Sequence, residues 1–219
     1  SVQHDFDKAE ECLHSAWAVK EHHLGRNHGF DEELAQVHIE RAKICQKRIM
    51  MVEQVLRKIK SEKKAGVESE QAEKLRKSIP KYITKQRRLA VEAYKQAYEL
   101  YAPSYDAMAA LPYDLELKAA NVSYQIGNLL WHLGQLEDAF TCIQQSAKTY
   151  GKSCGVEDHR TLYLMKDCAL IMLGHAPRSE PALFAHSAVV DLPDGQTPTH
   201  PDYSILKKLA LCAPESSGH

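Results

Sequence analysis

One helical pattern occurs three times in this chain and restricts its fold more than any other feature. Each copy has a small residue, a large residue four positions later and another small residue three positions after that. Such positions lie on one side of an α-helix, where small residues let a neighbouring helix approach closely. We therefore predict an all-α stack of helical hairpins. The copies lie in residues 6–25 (Ala9, Leu13, Ala16), 88–103 (Ala90, Tyr94, Ala97) and 135–151 (Ala139, Ile143, Ser146).

The third copy has a partner helix directly before it. Ile126, Gly127 and Leu130 are predicted to form the contact face of that first helix. Gly134 should end it, because glycine is the usual residue where a helix stops and the chain turns. Leu136 is then expected to pack at the start of the second helix. The sequence thus predicts a helical hairpin over residues 115–152.

This hairpin resembles the tetratricopeptide repeat, a helical hairpin unit of about 34 residues. The linkers at 24–28 and 153–162 resemble those of the longer repeats in kinesin light chains. Residues 127–140 are similar to the carboxy-terminal helical domain of SET and MYND domain lysine methyltransferases. The resemblance implies protein binding in a groove lined by the first helix of each hairpin. The residues that carry it are Gly127, Gly134, Leu136, Ala139, Ile143 and Ser146.

A long helical hairpin is predicted over residues 31–88. Residues 33–63 should form one helix with a coiled-coil seam, because apolar residues recur at intervals of four and three. After a turn at 64–66, Pro80 should end or restart the return helix, with Ser78 as its cap. Alternatively, these residues form a degenerate repeat. The seam residues are Cys45, Ile49, Val52, Leu56 and Ile59 on the first helix, and Ala72, Leu75, Ile79 and Tyr82 on the second.

The net charge of −1 conceals a strongly basic stretch. Between Arg41 and Arg88 there are 16 Lys and Arg against 5 Glu, a balance of +11, so the rest of the chain sums to −12. A solvated helix face is the plainest interpretation, but such a surface also suits an acidic partner such as tubulin or RNA. No nucleic-acid recognition motif accompanies it. The predicted basic surface comprises Arg57, Lys58, Lys60, Lys63, Lys64, Lys74, Arg76 and Lys77.

The remaining chain is predicted to be one more helix and a tail. Residues 158–173 should stack on the 115–152 hairpin and close a helical repeat domain of residues 1–173. Several prolines make 174–219 an irregular tail, with a short helix near 202–211. The first copy of the pattern lacks a preceding partner helix, so we expect a fragment, or a face covered by the tail or another subunit. The last helix would pack through Leu162, Met165, Cys168 and Ala169.

No cluster of residues predicts catalysis, a metal or a cofactor. His22 and His23 are adjacent on a helix and point about 100° apart, so they are poorly placed to share an ion. His28 and His159 are instead expected to cap or pack at helix starts. Neither Cys142 nor Cys154 has the local signature of an activated thiol. Six cysteines without paired spacing, and no apolar run that could span a bilayer, favour a cytoplasmic protein.

We therefore predict a non-catalytic protein–protein interaction module that binds a peptide or a partner subunit. Tyr94 and Tyr101 are interpreted as core residues. The alternative is the carboxy-terminal helical domain of a SET and MYND type lysine methyltransferase whose catalytic domain lies outside this chain. A structural subunit of a larger assembly, and self-association through the seam, are also considered. The predicted groove residues are Asn121, Gln125, Asn128, Leu129 and His132.

Overall fold

The computed structural model describes residues 2–24, 31–64, 70–101 and 113–177, which form six α-helices and no strand. The all-α prediction is confirmed. Within these ranges no helix has both the length and the apolar content needed to cross a bilayer. His28, residues 65–66 of the predicted turn, and the tail beyond residue 177 with its predicted helix near 202–211 lie outside the described residues. The helices are α1 (Val2–Leu24), α2 (Asp31–Lys64), α3 (Glu70–Tyr101), α4 (Tyr113–His132), α5 (Leu136–Cys154) and α6 (His159–Met172).

The two longest helices, α2 and α3, pack along each other as an antiparallel pair. Arg87 Nη2 donates to Glu53 Oε1 over 3.1 Å, and the Tyr94 hydroxyl donates to Gln46 Oε1 over 2.9 Å. Between these two contacts the residue number falls by seven on α2 and rises by seven on α3. The two helices therefore run in opposite directions.

A hydrophobic cluster, here called the tip cluster, holds the far part of this hairpin. The residues predicted for the α2 seam are buried or half-buried. The row predicted on α3 is partly wrong, because Leu75 is exposed while Ile83 and Gln86 are buried. The buried row of α3 contains the polar residue Gln86, so the spacing of apolar residues alone does not reveal it. The tip cluster consists of Ile49, Ile59, Ile79 and Ile83, with Val52, Leu56 and Ala72 packed against it.

Helix α3 passes through Pro80 without a break, so the prediction that Pro80 ends or restarts it is wrong. Pro80 is exposed, and water can therefore hydrate the carbonyl of residue 76, which loses its N–H donor. Ser78 is not a cap: its hydroxyl donates to the Leu75 carbonyl over 3.2 Å. Thr84 likewise donates to the Pro80 carbonyl over 3.0 Å.

Helices α4 and α5 form the hairpin that the sequence predicted most clearly. A Cβ added at Gly127 would lie 2.6 Å from Ile143 Cγ1 and 3.0 Å from the Ala139 carbonyl oxygen, so only glycine permits this approach. The buried Ser146 hydroxyl donates to the Ala120 carbonyl of α4 over 2.8 Å. Two copies of the small–large–small pattern are buried as predicted, namely Ala90, Tyr94 and Ala97, and Ala139, Ile143 and Ser146.

The turn between α4 and α5 has the geometry of a Schellman motif. Gly134 has a φ of 79°. Its N–H donates to the Trp131 carbonyl, and the N–H of Gln135 donates to the Leu130 carbonyl. These bonds satisfy carbonyls that the helix end leaves without partners. Leu136 is exposed just after the turn, so the prediction that it packs there is wrong.

Helix α6 begins and ends close to its predicted bounds, but its buried face differs. The cap is Asp158, whose side chain accepts the Arg160 N–H, while His159 is exposed and neither caps nor packs. Ala169 is buried as expected; Leu162, Met165 and Cys168 are only partly buried. The most buried row contains two polar residues that the prediction passed over, and consists of Thr161, Leu164, Asp167 and Ile171.

The first helix, α1, lies on α2 and is held largely by charge. Arg48 is buried and donates from Nη1 to Glu10 Oε2 over 2.9 Å and from Nη2 to Asp7 Oδ1 over 2.8 Å. None of the described α1 side chains is buried: Leu13 is half-buried, and Ala16 is exposed. The first copy of the pattern therefore does not make the tight helix contact that the other two make.

Side-chain contacts arrange the helices in two layers. Gln46 of α2 bonds to Gln125 of α4, and Tyr124 of α4 bonds to Asp167 of α6. In the other layer, Gln145 of α5 donates to the Tyr98 hydroxyl of α3 over 2.9 Å. Helix α4 thus lies in the middle of the first layer, between α2 and α6.

Candidate functional site

Helix α4 is the most enclosed helix of the stack, and its few partly exposed residues define the candidate site. From Ala119 to His132 only Asn121, Asn128 and His132 are not fully buried. They are spaced by seven and four, which places them on one side of the helix. All three are polar, and every other residue of this stretch is buried. We call this row, which also includes Asp114, Lys118 and Gln125, the α4 stripe.

At the start of the stripe, a charged cluster joins α4 to α2. Lys118 Nζ lies 2.6 Å from Glu32 Oε1 and also pairs with Asp114. Hydrogen bonds to Asp114 and Glu32 raise the pKa of Lys118. This cation is therefore already engaged by two carboxylates and serves mainly to position α4 against α2.

In the middle of the stripe, Gln125 is committed to α2. Gln46 Nε2 donates to Gln125 Oε1 over 3.3 Å, and Gln46 in turn accepts from the Tyr94 hydroxyl. Burial raises the pKa of Tyr94, with a smaller contribution from Glu40. The chain of Tyr94, Gln46 and Gln125 therefore links three helices beneath the stripe.

The α6 side of the stripe contains a buried polar cluster. The fully buried Tyr124 donates from its hydroxyl to Asp167 Oδ2 over 3.3 Å, and the Tyr163 ring lies edge-on to the Tyr124 ring with centroids 6.3 Å apart. Burial raises the pKa of Tyr124, and Asp167 raises it further. The nearby Asn128 side chain opposes this shift in the pKa of Tyr124. Asn128 therefore lies beside this cluster while part of it remains accessible.

Asn121 is the residue of the stripe whose side-chain oxygen lacks a hydrogen-bond donor among the described residues. Its Oδ1 atom is buried and accepts no hydrogen bond within the described part of the chain. Buried polar atoms are nearly always paired, and leaving one unpaired costs about 1–3 kcal/mol.

The structure brings together four of the five predicted groove residues, namely Asn121, Gln125, Asn128 and His132. Leu129 does not belong with them: it is buried in the main core, because it follows Asn128 by one position and points about 100° away. Sequence reasoning missed the flanking residues Gln46, Tyr163 and Asp167. Gln46 and Asp167 fall at helical spacing among residues that are buried, and this spacing could have identified them. A pattern based on apolar residues alone leaves them out.

The predicted basic surface of the hairpin does not form one face. Arg57 and Lys58 are neighbours that point in different directions, and both are exposed, as is Lys60. Lys74 and Lys77 each pair with a glutamate one turn earlier, Glu70 and Glu73. Arg76 is half-buried. The side chains of Lys63 and Lys64 lie outside the described residues.

Two of the described thiols, Cys142 and Cys168, are made less acidic by burial. Burial raises the pKa of Cys142, and Asp138 raises it further. Burial and the neighbouring Asp167 raise the pKa of Cys168 to about 12. Cys154 Sγ accepts from Arg160 Nη2 over 3.2 Å. The side chains of His22 and His23 are outside the described residues, and no group of three potential metal ligands occurs among those described.

Comparison of the chain with protein-family models, with curated protein sequences and with solved structures finds no match.

Proposed function

We propose that this chain is a non-catalytic protein-interaction module that binds an extended peptide segment of a partner protein along the α4 stripe. The observation that carries the proposal is the row of Asn121, Asn128 and His132 in the otherwise buried stretch of α4 from Ala119 to His132. A purely structural helix in this position would gain more from apolar residues at these sites. Partly exposed polar side chains between buried residues are better suited to binding a partner than to packing against another helix.

Carboxamides are well matched to a peptide main chain. Each Asn side chain offers both an acceptor and donors, which complement the alternating N–H and C=O groups of an extended peptide. Asn128 is half-buried beside Tyr124, so less side-chain entropy is lost when it binds than for a fully exposed amide. Asn121 has an oxygen that lacks a donor. A peptide N–H placed over α4 would supply it.

The proposal includes a setting and a partner class. We propose a cytoplasmic location, supported by six cysteines without paired spacing. The partner is another protein rather than a small molecule. Gln125 and Lys118 are engaged with α2 and set the position of α4, so they contribute to binding indirectly.

A selection of displayed random peptides against the purified chain tests this function. Selected peptides should bind the double variant Asn121→Ala/Asn128→Ala about tenfold or more weakly, because two amides that would pair with the main chain are lost. Gln71→Ala removes an exposed amide on α3 and is the matched control, for which we expect unchanged affinity.

Isothermal titration of each variant with the same synthetic peptide gives the measurement. Circular dichroism would first establish that both variants keep their helical content. Peptides that bind the double variant as tightly as the original chain, or a selection that enriches none, would contradict the proposal.

A further inference from the structure

A second surface, on the α2–α3 hairpin, exposes apolar side chains in an ordered row. On α2, Met51 and Val55 are 37% and 44% exposed; on α3, Leu75 and Leu89 are 46% and 44% exposed. Single exposed apolar residues need no explanation, but several on one side of a hairpin do. Leu75, the half-buried Tyr82 and Leu89 follow each other at intervals of seven, which places them on one side of α3.

The register of the hairpin brings these two rows together. Because Glu53 pairs with Arg87 and Gln46 with Tyr94, residue 51 lies opposite residue 89. Met51 and Val55 follow Arg48 by three and seven positions and share its side of α2. We call the exposed surface formed by Met51, Val55, Leu75, Tyr82 and Leu89 the hairpin face.

Glu53 and Arg87 pair on one side of the hairpin. Met51 and Val55 are each two positions from Glu53, and Leu89 is two positions from Arg87, so these three point about 200° away, to the opposite side, which Arg48 shares. Burial lowers the pKa of Arg48, but its hydrogen bond to Glu10 and the nearby Glu10 and Tyr82 outweigh this effect, so the pKa is raised. Arg48 is the residue that holds α1 through Asp7 and Glu10. The hairpin face therefore continues, along the hairpin, the surface on which α1 already lies.

The chemistry of α1 shows what this surface accepts. Two carboxylates of α1 pair with Arg48, the Phe6 ring lies 5.8 Å from its guanidinium carbon, and Leu13 is half-buried. An amphipathic helix with apolar and acidic residues is thus already bound here within the same chain. The contact is continuous with the exposed row of Met51 and Val55.

The edges of the hairpin face are basic. Lys47 and Lys58 lie within one turn of Met51 and Val55 on α2. On α3, Lys85 lies within one turn of both Tyr82 and Leu89, and Lys81 is one turn before Lys85. All four lysines are exposed; the exposed Glu62 and Glu92 lie towards the two ends of the row. An apolar row between basic edges complements a helix with one apolar side and acidic flanks.

We propose that the hairpin face binds an acidic amphipathic helix of a partner protein, placed in line with α1. From Leu75 to Leu89 the row extends about 21 Å, which matches a helix of about four turns. Apolar burial against Met51, Val55 and Leu89 would supply affinity, and the lysines would orient the helix and speed its association. This surface lies on α2 and α3, whereas the stripe lies on α4, so either proposal can fail without affecting the other.

A fluorescein-labelled synthetic peptide tests this surface by anisotropy titration. The probe is a helical peptide with leucines at intervals of three and four and glutamates on both flanks. We expect it to bind, to weaken as salt is added, and to bind far better than a peptide with lysine in place of every glutamate. The neutral double variant Met51→Ser/Leu89→Ser should lower its affinity about tenfold or more.

Two further variants make the test specific. Met172→Ser removes an exposed methionine at the end of α6 and should leave the affinity unchanged, as should Asn128→Ala in the α4 stripe. The double variant Lys81→Glu/Lys85→Glu should lower the affinity for the acidic peptide, because it replaces two attractive charges by repulsive ones. These residues are exposed, so folding should be retained, and circular dichroism checks this.

The proposal is overturned if the acidic peptide does not bind, if both peptides bind alike, or if the serine double variant binds as tightly as the original chain. A homopolymeric RNA that displaces the peptide and binds the serine double variant unchanged would assign the surface to polyanions instead, and would also overturn the proposal.

Discussion

At the scale of single residues, Gly127 sets the distance between α4 and α5. We predict that Gly127→Ala lowers the free energy of unfolding by about 1–3 kcal/mol, because the new methyl group would overlap Ile143 and a backbone oxygen that cannot move alone. The gain in helix propensity from replacing glycine, about 1 kcal/mol, is smaller than this cost at such a short contact. Urea unfolding of the purified variant gives the measurement.

Gly151→Ala is the matched control for this prediction. A Cβ at Gly151 would lie 3.4 Å from Thr161 Cγ2, an ordinary contact, and the position is inside α5. This variant should be neutral or slightly more stable. Equal effects of the two substitutions would show that the close approach at Gly127 does not limit stability.

At the scale of elements, Pro80 destabilises α3 and can be replaced without loss of packing. We predict that Pro80→Ala stabilises the chain by about 1–3 kcal/mol, because it restores a backbone hydrogen bond and relieves the clash of the ring with the preceding turn. Pro80 is exposed, so no packing is lost. Thermal and urea unfolding, compared with Lys81→Ala as a neighbouring exposed control, measure the gain. An unchanged midpoint would mean that the helix has already relaxed around the proline.

The elements also show what the sequence could and could not predict. The apolar repeat of α2 and the two buried small–large–small rows were identifiable because their spacing alone assigns them to one side of a helix. The buried rows of α3 and α6 were misassigned because Gln86, Thr161 and Asp167 interrupt the apolar pattern. Whether Leu75 or Leu136 packs depends on the register of the neighbouring helix, which local spacing does not contain. In the candidate site, the partly exposed polar row was predictable, while its partners on α2 and α6 were not.

At the scale of the whole molecule, we predict that stability falls in alkaline solution. Burial, together with Asp167, raises the pKa of Cys168 from 9.0 to about 12. Burial also raises the pKa of Tyr150 from 10.0 to about 12, although Arg160 opposes the shift. These groups keep their protons in the folded chain at a pH where the unfolded chain has lost them. Stability is therefore full below pH 9 and declines towards pH 12, by about 1.4 kcal/mol per pH unit for each group between its two pKa values.

Urea unfolding at a series of pH values from about 7 to about 11 checks this prediction. Cys168→Ala should lower the starting stability but also reduce the slope, since one of the groups that ionise is gone. A free energy of unfolding that stays level across this range would contradict the burial of these thiol and phenol groups.

The division of the hydrophobic residues into a main core and a tip cluster has a mechanical consequence. Helices α2 and α3 pass from one cluster to the other without interruption. About 15 residues of each helix lie beyond the main core, which makes an arm of roughly 22 Å. A load applied at the end of this arm would be passed along both helices, with Pro80 as a weak point in α3, to the contacts that Gln46 makes with Tyr94 and Gln125. The base of the hairpin is therefore joined to the α4 stripe through Gln46 and Gln125, so we expect a displacement of the arm to be felt there.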